Sequence, residues 1–272
     1  MKMKKYLWIG VMMAITIFAG QTIALADGDT GQAAAPVSAD SKPTAELDMG
    51  VFSQYIWRGF EESHNSVVIQ PSVTLGYEGF SFNIWGNMDT DQKLPGGIDN
   101  GAKYTETDYT LSYTKAIGIT KLTGGYIYYA LDAPQDSQEI FASVSLDTFL
   151  SPTLSIYREI AYEPAWYVNL GVSYSQPIVN KVTLDLAASA GYYYSDASGF
   201  ADVDNPSNEY RALHNGLVSA GFTIPFNDYI SVKPMIAYSF PLSGEASDYI
   251  KANSISDNSS FFYGGATLSF AY

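Results

Sequence analysis

Residues 261–272, Phe-Phe-Tyr-Gly-Gly-Ala-Thr-Leu-Ser-Phe-Ala-Tyr, alternate with a period of two up to an aromatic carboxy-terminal residue. Phe262, Ala266, Leu268, Phe270 and Tyr272 fall on one face, and Tyr263, Gly265, Thr267, Ser269 and Ala271 on the other. A strand with one apolar face and one small, polar face suits lipid on one side and water on the other. Lipid offers no partner for an open sheet edge, so a strand of this kind must belong to a closed barrel.

The rest of the chain carries the same rhythm. Twelve alternating segments follow one another, over about 45–59, 67–77, 80–89, 104–114, 120–131, 138–147, 153–160, 166–175, 182–194, 210–224, 229–240 and 259–272. Each approaches the roughly 9–11 residues a tilted membrane strand needs. Joins at 78–79, 115–119, 148–152, 176–181 and 225–228 are short, whereas 90–103, 195–209 and 241–258 are longer and rich in Gly, Asp, Asn and Ser. Short turns opposite long loops, with an even strand count, predict an all-β, antiparallel, up-and-down transmembrane barrel of about 12 strands over residues 45–272, as in Gram-negative outer membranes. The aromatic end resembles the final strand of such barrels, which the barrel-assembly machinery reads. Pro71 and Pro234 lie on apolar faces of two segments, where a bulge or kink is expected.

The amino terminus agrees with export. Lys2, Lys4 and Lys5 precede an apolar run from Tyr6 to about Ala19, and Ala24-Leu25-Ala26 has the small-x-small form of a cleavage site, so residues 1–26 read as a signal peptide. Residues 27–44 read as a flexible periplasmic leader. Past the signal, 28 acids face 11 bases, a net charge of about −17, which excludes a nucleic-acid partner. No cysteine is present, and with two histidines a transition-metal site is poorly supported, so no cofactor or metal is expected. The 22 tyrosines, 14 phenylalanines and four tryptophans fit the aromatic girdles of a barrel. Mean hydropathy is only −0.02 because lipid-facing and lumen-facing residues cancel along each strand.

Taking the apolar face as the lipid face points a set of charges inward. Arg58, Asp89, Glu106, Asp108, Glu139, Glu159 and Arg211 lie near the outer mouth, with Asp48, Lys121, Asp185 and Lys233 lower down. Charges in a lumen of this size need partners or water. The expected site is therefore a narrow, hydrated, acid-biased pore lined by Arg58, Asp89, Glu106, Asp108, Glu139, Glu159, Arg211, Asp185 and Lys233. Asp89, Glu106 and Asp108 are expected to gather on one wall with Arg58 opposite. Tyr55 and Trp57 share the lipid parity of the first segment, and His214 falls on the outward parity at the rim of the tenth.

Ser53-Gln54-Tyr55-Ile56-Trp57-Arg58-Gly59, followed by Ile84-Trp85-Gly86-Asn87-Met88-Asp89, resembles the TorF-type family of outer-membrane porins, which open with a Ser-x-Tyr-x-(aromatic)-Arg-Gly strand. The continuation Phe60-Glu61-Glu62-Ser63 departs from the Ile-Ser-Gln-Thr type of that family. The resemblance implies a small porin with no catalytic residue. The reading it supports is passive diffusion of small polar solutes with a mild cation preference, by a monomer among outer-membrane lipid and lipopolysaccharide. A nucleoside-type selective channel, in which Trp85, Tyr157 and Tyr167 stack on the solute, is the alternative. His64-Asn65-Ser66 has the His-x-Ser spacing of lipid-acting barrel enzymes but falls in a loop. The acidic loop residues Asp91, Asp99, Asn100, Asp196, Asp202, Asp204, Asn205 and Asn208 offer oxygens to Ca²⁺, although their spacing matches no calcium loop.

Overall fold

A computed structural model describes residues 42–94, 98–132, 135–196, 201–203 and 207–272. The signal and nearly all of the leader lie outside the described residues, as do Asp204 and Asn205. Strands form where side chains alternate. The first, β1 (Thr44–Phe52), is followed by two short strands, β2 (Ile56–Trp57) and β3 (Phe60–Glu61). Then come β4 (Val68–Tyr77), β5 (Phe80–Leu94), β6 (Ile98–Ile117), β7 (Thr120–Leu131), β8 (Ser137–Leu146), β9 (Thr153–Glu159), β10 (Ala165–Val179), β11 (Val182–Ser195), β12 (Arg211–Pro225) and β13 (Ile230–Pro241). Helix α1 (Gly244–Ala252) and β14 (Phe261–Ala271) complete the chain. Twelve strands, all but β2 and β3, close an antiparallel barrel in which each pairs with its sequence neighbour and β1 pairs with both β4 and β14.

Closure uses the carboxy-terminal residue itself. Ala45 N donates to the Tyr272 carbonyl at 3.0 Å and Tyr272 N to the Ala45 carbonyl at 2.8 Å, so neither terminal strand keeps a bare edge. The outside carries Leu47, Met49, Val51, Val73, Leu75, Ile84, Leu111, Leu170, Leu186, Val218, Ile236, Leu268 and Phe270, all exposed. Large apolar residues cover this surface because it faces acyl chains, with Tyr77, Phe80, Tyr113, Tyr229 and Tyr272 near the turn end.

The sequence expectations fail at four places, each for a physical reason. The first strand stops at Phe52 rather than running to residue 59. The chain then folds into the lumen, because Tyr55, Ile56 and Phe60 bury their apolar surface there. Tyr55 and Trp57 therefore leave the lipid face: Tyr55 is buried against Trp85, with ring centroids 5.5 Å apart. Residues 90–94 and 98–103 are strand rather than loop, since β5 and β6 continue as a paired ribbon above the barrel to Leu94↔Ile98. Pro71 and Pro234 produce no bulge, because the register runs unshifted through both sites, with Pro71 opposite Met49 and Pro234 opposite Ala266.

The bulges lie elsewhere, and one of them inverts two assignments. Across β11 and β12, Ala190 faces Gly216 and Tyr192 faces Leu213, so Gly191 alone opposes His214 and Asn215. The extra residue reverses the parity of the outer end of β12. Arg211 is consequently turned outward, its guanidinium 4.2 Å from the Tyr194 ring and paired with Glu209, while His214 is turned inward and fully buried.

Candidate functional site

The inner face changes character along the barrel axis. Towards the periplasmic turns, β7 presents Lys121 and Thr123, β8 Ser143 and Ser145, β9 Thr153 and Ser155, and β10 Ser173 and Ser175, all partly or fully exposed. Towards the external loops the same strands present Ile127 and Tyr129, Glu139, Tyr157 and Glu159, and Tyr167, all buried. The outer half is packed because the loop between β1 and β4 occupies it.

That loop is a miniature hairpin. Ile56 pairs with Glu61 and Trp57 with Phe60, so Arg58-Gly59 is a two-residue turn, and both residues have positive φ, 48° and 84°. This is the backbone of a type I′ turn, whose twist matches the flanking strands. Glycine is required at 59 for a second reason: a Cβ there would lie 2.9 Å from Cβ of Asn215. The hairpin base is fixed where Tyr55 N donates to Ser63 Oγ at 2.8 Å and Ser53 N to the Gly264 carbonyl at 2.9 Å.

At the hairpin tip, Arg58 reaches across the lumen to β8. Its Nη1 and Nη2 donate to Oε1 and Oε2 of Glu139, each at 2.8 Å, and the Tyr129 hydroxyl donates to Oε2 at 2.9 Å. The guanidinium carbon lies 4.6 Å from the Trp57 ring, 4.7 Å from Tyr157 and 4.5 Å from Tyr167. Arg58 is 1% exposed and Glu139 3%. A bidentate pair with aromatic faces around it is the arrangement in which a guanidinium tolerates removal from water. Tyr167 is itself held by donating to Asn215 Oδ1 at 2.8 Å and accepting from Asn169 Nδ2 at 3.1 Å. The Tyr167 hydroxyl approaches Gly191 so closely that a Cβ there would lie 2.2 Å away.

Above this pair the mouth is filled by rings. Phe60 packs on His214 (4.9 Å between centroids), on Tyr193 (6.2 Å) and on Tyr249 of α1 (6.0 Å), while Tyr210 stacks on Tyr249 at 4.0 Å. His214 Nδ1 lies 2.6 Å from the Tyr210 hydroxyl. Helix α1 starts at Ser243, whose hydroxyl caps the Ala246 amide at 3.1 Å, and turns Ala246, Tyr249 and Ile250 into the mouth. One carboxylate joins hairpin and helix loop: Glu61 accepts from Gln54 Nε2 (3.0 Å), Ser254 Oγ (2.7 Å) and Ser256 N (2.8 Å), and His64 Nδ1 lies 2.7 Å from it.

The remaining inward charges divide into an acidic wall and several locked groups. Glu106 and Asp108 on β6 lie within hydrogen-bonding reach of each other, close to the Tyr55 hydroxyl and to Glu62 of the hairpin. Asp89 does not join them, because it accepts from the Ser66 hydroxyl and, at 3.0 Å, from Asp91 N. Glu159 accepts from Ser137 Oγ and from the amides of Ala161 and Tyr162, which fixes the loop after β9. Lower down, Asp185 accepts from Ser175 and Thr223, each at 2.7 Å, and Lys233 lies 3.4 Å from Glu46.

The hairpin escapes sequence reading: Arg58-Gly59 lies between Ile56-Trp57 and Phe60-Glu61, and arginine is an unusual residue for positive φ, so only Gly59 hints at the turn. The loop pair His64 and Ser66 has separate partners, His64 lying against Glu61 and Asn65 while Ser66 turns to Asp89. Among the loop acids, Asp91 and Asp99 share Lys93, and Asp196 takes Arg158 at 2.9 Å, which lowers its carboxyl below the usual range. Among the described residues no group of three or more ligands is placed to hold a metal ion.

No protein-family model matches the chain, and no curated protein matches it. Solved structures do. The NanC porin aligns over 83% of this chain and 98% of its own, with a TM-score of 0.53 at 12% identity. The translocator domain of autotransporter NalP from Neisseria meningitidis covers 89% and 94% at 11% identity, with a TM-score of 0.39. An anion-selective porin from Comamonas acidovorans covers 85% and 99% at 8% identity, with a TM-score of 0.33. The first of these shares the fold. With its closed sheet and apolar outer band, the chain is a transmembrane β-barrel of the Gram-negative outer-membrane kind.

Proposed function

We propose that the barrel is a passive outer-membrane channel for small polar solutes, with a mild preference for cations, and that the inserted hairpin sets its bore. The observation that carries this reading is the thin, polar inner wall of the periplasmic half, where Lys121, Thr123, Ser143, Ser145, Thr153, Ser155 and Ser173 remain partly exposed. A barrel built only as a scaffold gains nothing from leaving such a wall uncovered. The resemblance to TorF-type porins and the fold shared with the NanC porin support the same reading. The rings named for a nucleoside-type channel are engaged otherwise, Tyr157 and Tyr167 against Arg58 and Trp85 against Tyr55. Residues 1–26 serve as the export signal and 27–44 as a leader, and the barrel works as a monomer among lipid and lipopolysaccharide after insertion by the assembly machinery.

Glu106 and Asp108 share one wall, with Glu62 of the hairpin close to them, and these are the acidic groups that carry the cation preference, while Arg58 is neutralised by Glu139. Where these carboxyls are ionised they raise the local cation concentration, and the effect weakens as the Debye length shrinks from about 10 Å at 0.1 M salt to about 3 Å at 1 M. In a planar bilayer under a KCl gradient, the protein should give a cation-selective reversal potential. Replacing Glu62, Glu106 and Asp108 by Gln, Gln and Asn should shift that potential towards anions. A parent protein that inserts without conductance would instead support a structural or receptor role.

A further inference from the structure

We propose that the wall of the outer constriction is a binding site for guanidinium and similar organic cations, and that Arg58 is its tethered occupant. This names the solute class of the channel proposed above. It rests on that reading for transport but not for binding.

The cage belongs to the barrel rather than to the hairpin. Four consecutive strands supply it: Tyr129 from β7, Glu139 from β8, Tyr157 from β9 and Tyr167 from β10. Together they present both oxygens of one carboxylate in fork geometry, a phenol hydroxyl that fixes that carboxylate, and two ring faces at 4.5 and 4.7 Å from the cation centre. Planar cations are recognised by this set of groups. Trp57, the third ring, arrives with the hairpin. Apolar filling would serve a purely structural plug at least as well, since exchanging a buried ion pair for packed apolar residues is often neutral or stabilising. Ile56 and Phe60 of the same hairpin already provide such filling.

The cage also lies where a solute would meet it. Below Glu139, β8 continues inward with Phe141, Ser143 and Ser145; below Tyr157, β9 continues with Ser155 and Thr153; below Tyr167, β10 continues with Asn169 and Ser173. It therefore stands at the boundary between the packed outer half and the polar periplasmic half. With Arg58 in place the cage is closed, Glu139 being 3% exposed, so a cation from that side has room at the carboxylate only once the Arg58 side chain is removed.

The test removes the occupant and offers its head group. Full-length Arg58→Ala is assembled in detergent, and its heat-modifiable unfolding is followed against guanidinium, sodium and tetramethylammonium chlorides at equal ionic strength. A tethered group acts at millimolar or higher effective concentration, so about 10 mM is the range to scan. Guanidinium should raise the unfolding temperature of Arg58→Ala beyond any effect of sodium, leave the parent unchanged, and do nothing to Arg58→Ala/Glu139→Gln. If Arg58→Ala does not assemble alone, refolding it with guanidinium decides: recovery supports the site, and failure to recover overturns it. A folded Arg58→Ala with no guanidinium-specific response, or one that survives Glu139→Gln, also overturns it. In bilayers guanidinium should block the Arg58→Ala current. Thermal rescue without any current keeps the site and rejects the channel, whereas current without a guanidinium response keeps the channel and rejects the site.

Discussion

The same strands build two different interiors. In the external half, inward positions hold Tyr129, Tyr157, Tyr167, Tyr193 and Tyr263, and a hairpin and a helix fill what these rings leave open. In the periplasmic half, inward positions of β7–β10 are mostly Ser, Thr and Gly and are partly exposed, those of the other strands, such as Ser81, Asn83, Ser112, Asp185 and Ser269, are polar and buried, and no inserted segment among the described residues enters. Twelve strands enclose more space than wall side chains alone can fill. The protein fills that space at one end and lines it with polar groups at the other. The outer half is packed like a soluble core, and the inner half presents a polar wall that is partly exposed along β7–β10.

The largest effect expected from this contrast is at charge. Arg58→Ala leaves Glu139 buried and uncompensated and should destabilise the barrel by about 3–5 kcal/mol. Lys121→Ala, an inward charge of the periplasmic half, should stay within about 0.5 kcal/mol. Urea titrations in lipid compare the two, and equal losses would erase the distinction between the halves.

Next comes the lipid face, which the periplasmic half tests most cleanly because its inner side chains are small. Arginine at Leu186 or Val73 should cost about 2–4 kcal/mol, and arginine at Ser189 or Thr74, on the inner parity, much less. Folding free energies that do not separate the two pairs would invert the inside and outside assignment.

The smallest effect concerns the rim. Arg158 holds the Asp196 carboxyl below its usual range. The unfolded chain therefore takes up the proton first as pH falls, so the contribution of Asp196 is present above the ordinary carboxylate range and is lost as pH drops through the lowered value. Asp196→Asn should be slightly less stable than the parent at pH 6, and the difference should vanish in strong acid. A difference that persists there would assign the effect to packing.

Legibility followed period and failed at irregularity. The closing strand, the short turns and the lipid face could be read because alternation survives in each, from Leu268 and Phe270 outward to Thr267 and Ser269 inward. The hairpin could not, because Tyr55-Ile56-Trp57 continues the alternation of β1 and nothing in the pattern marks the point where Ser53 leaves the sheet. Nor could the orientation of His214 and Arg211, since one extra residue opposite Gly191 reverses parity without altering composition. Of the expected inner charges, Arg58, Asp89, Glu106, Asp108, Glu139, Glu159, Asp185 and Lys233 face the interior and Arg211 does not. What the sequence could not supply was their partners, some of them far apart in the chain, as Arg58 and Glu139 are.

The claim that the hairpin sets the bore is tested most directly by single-channel conductance in planar bilayers. The parent is compared with a variant in which residues 54–65 are replaced by a short Gly-Ser link between Ser53 and Ser66. The variant should fold, close its barrel through β1 and β14, and conduct several times more current than the parent. Equal conductance in a folded variant would contradict the hairpin as the constriction.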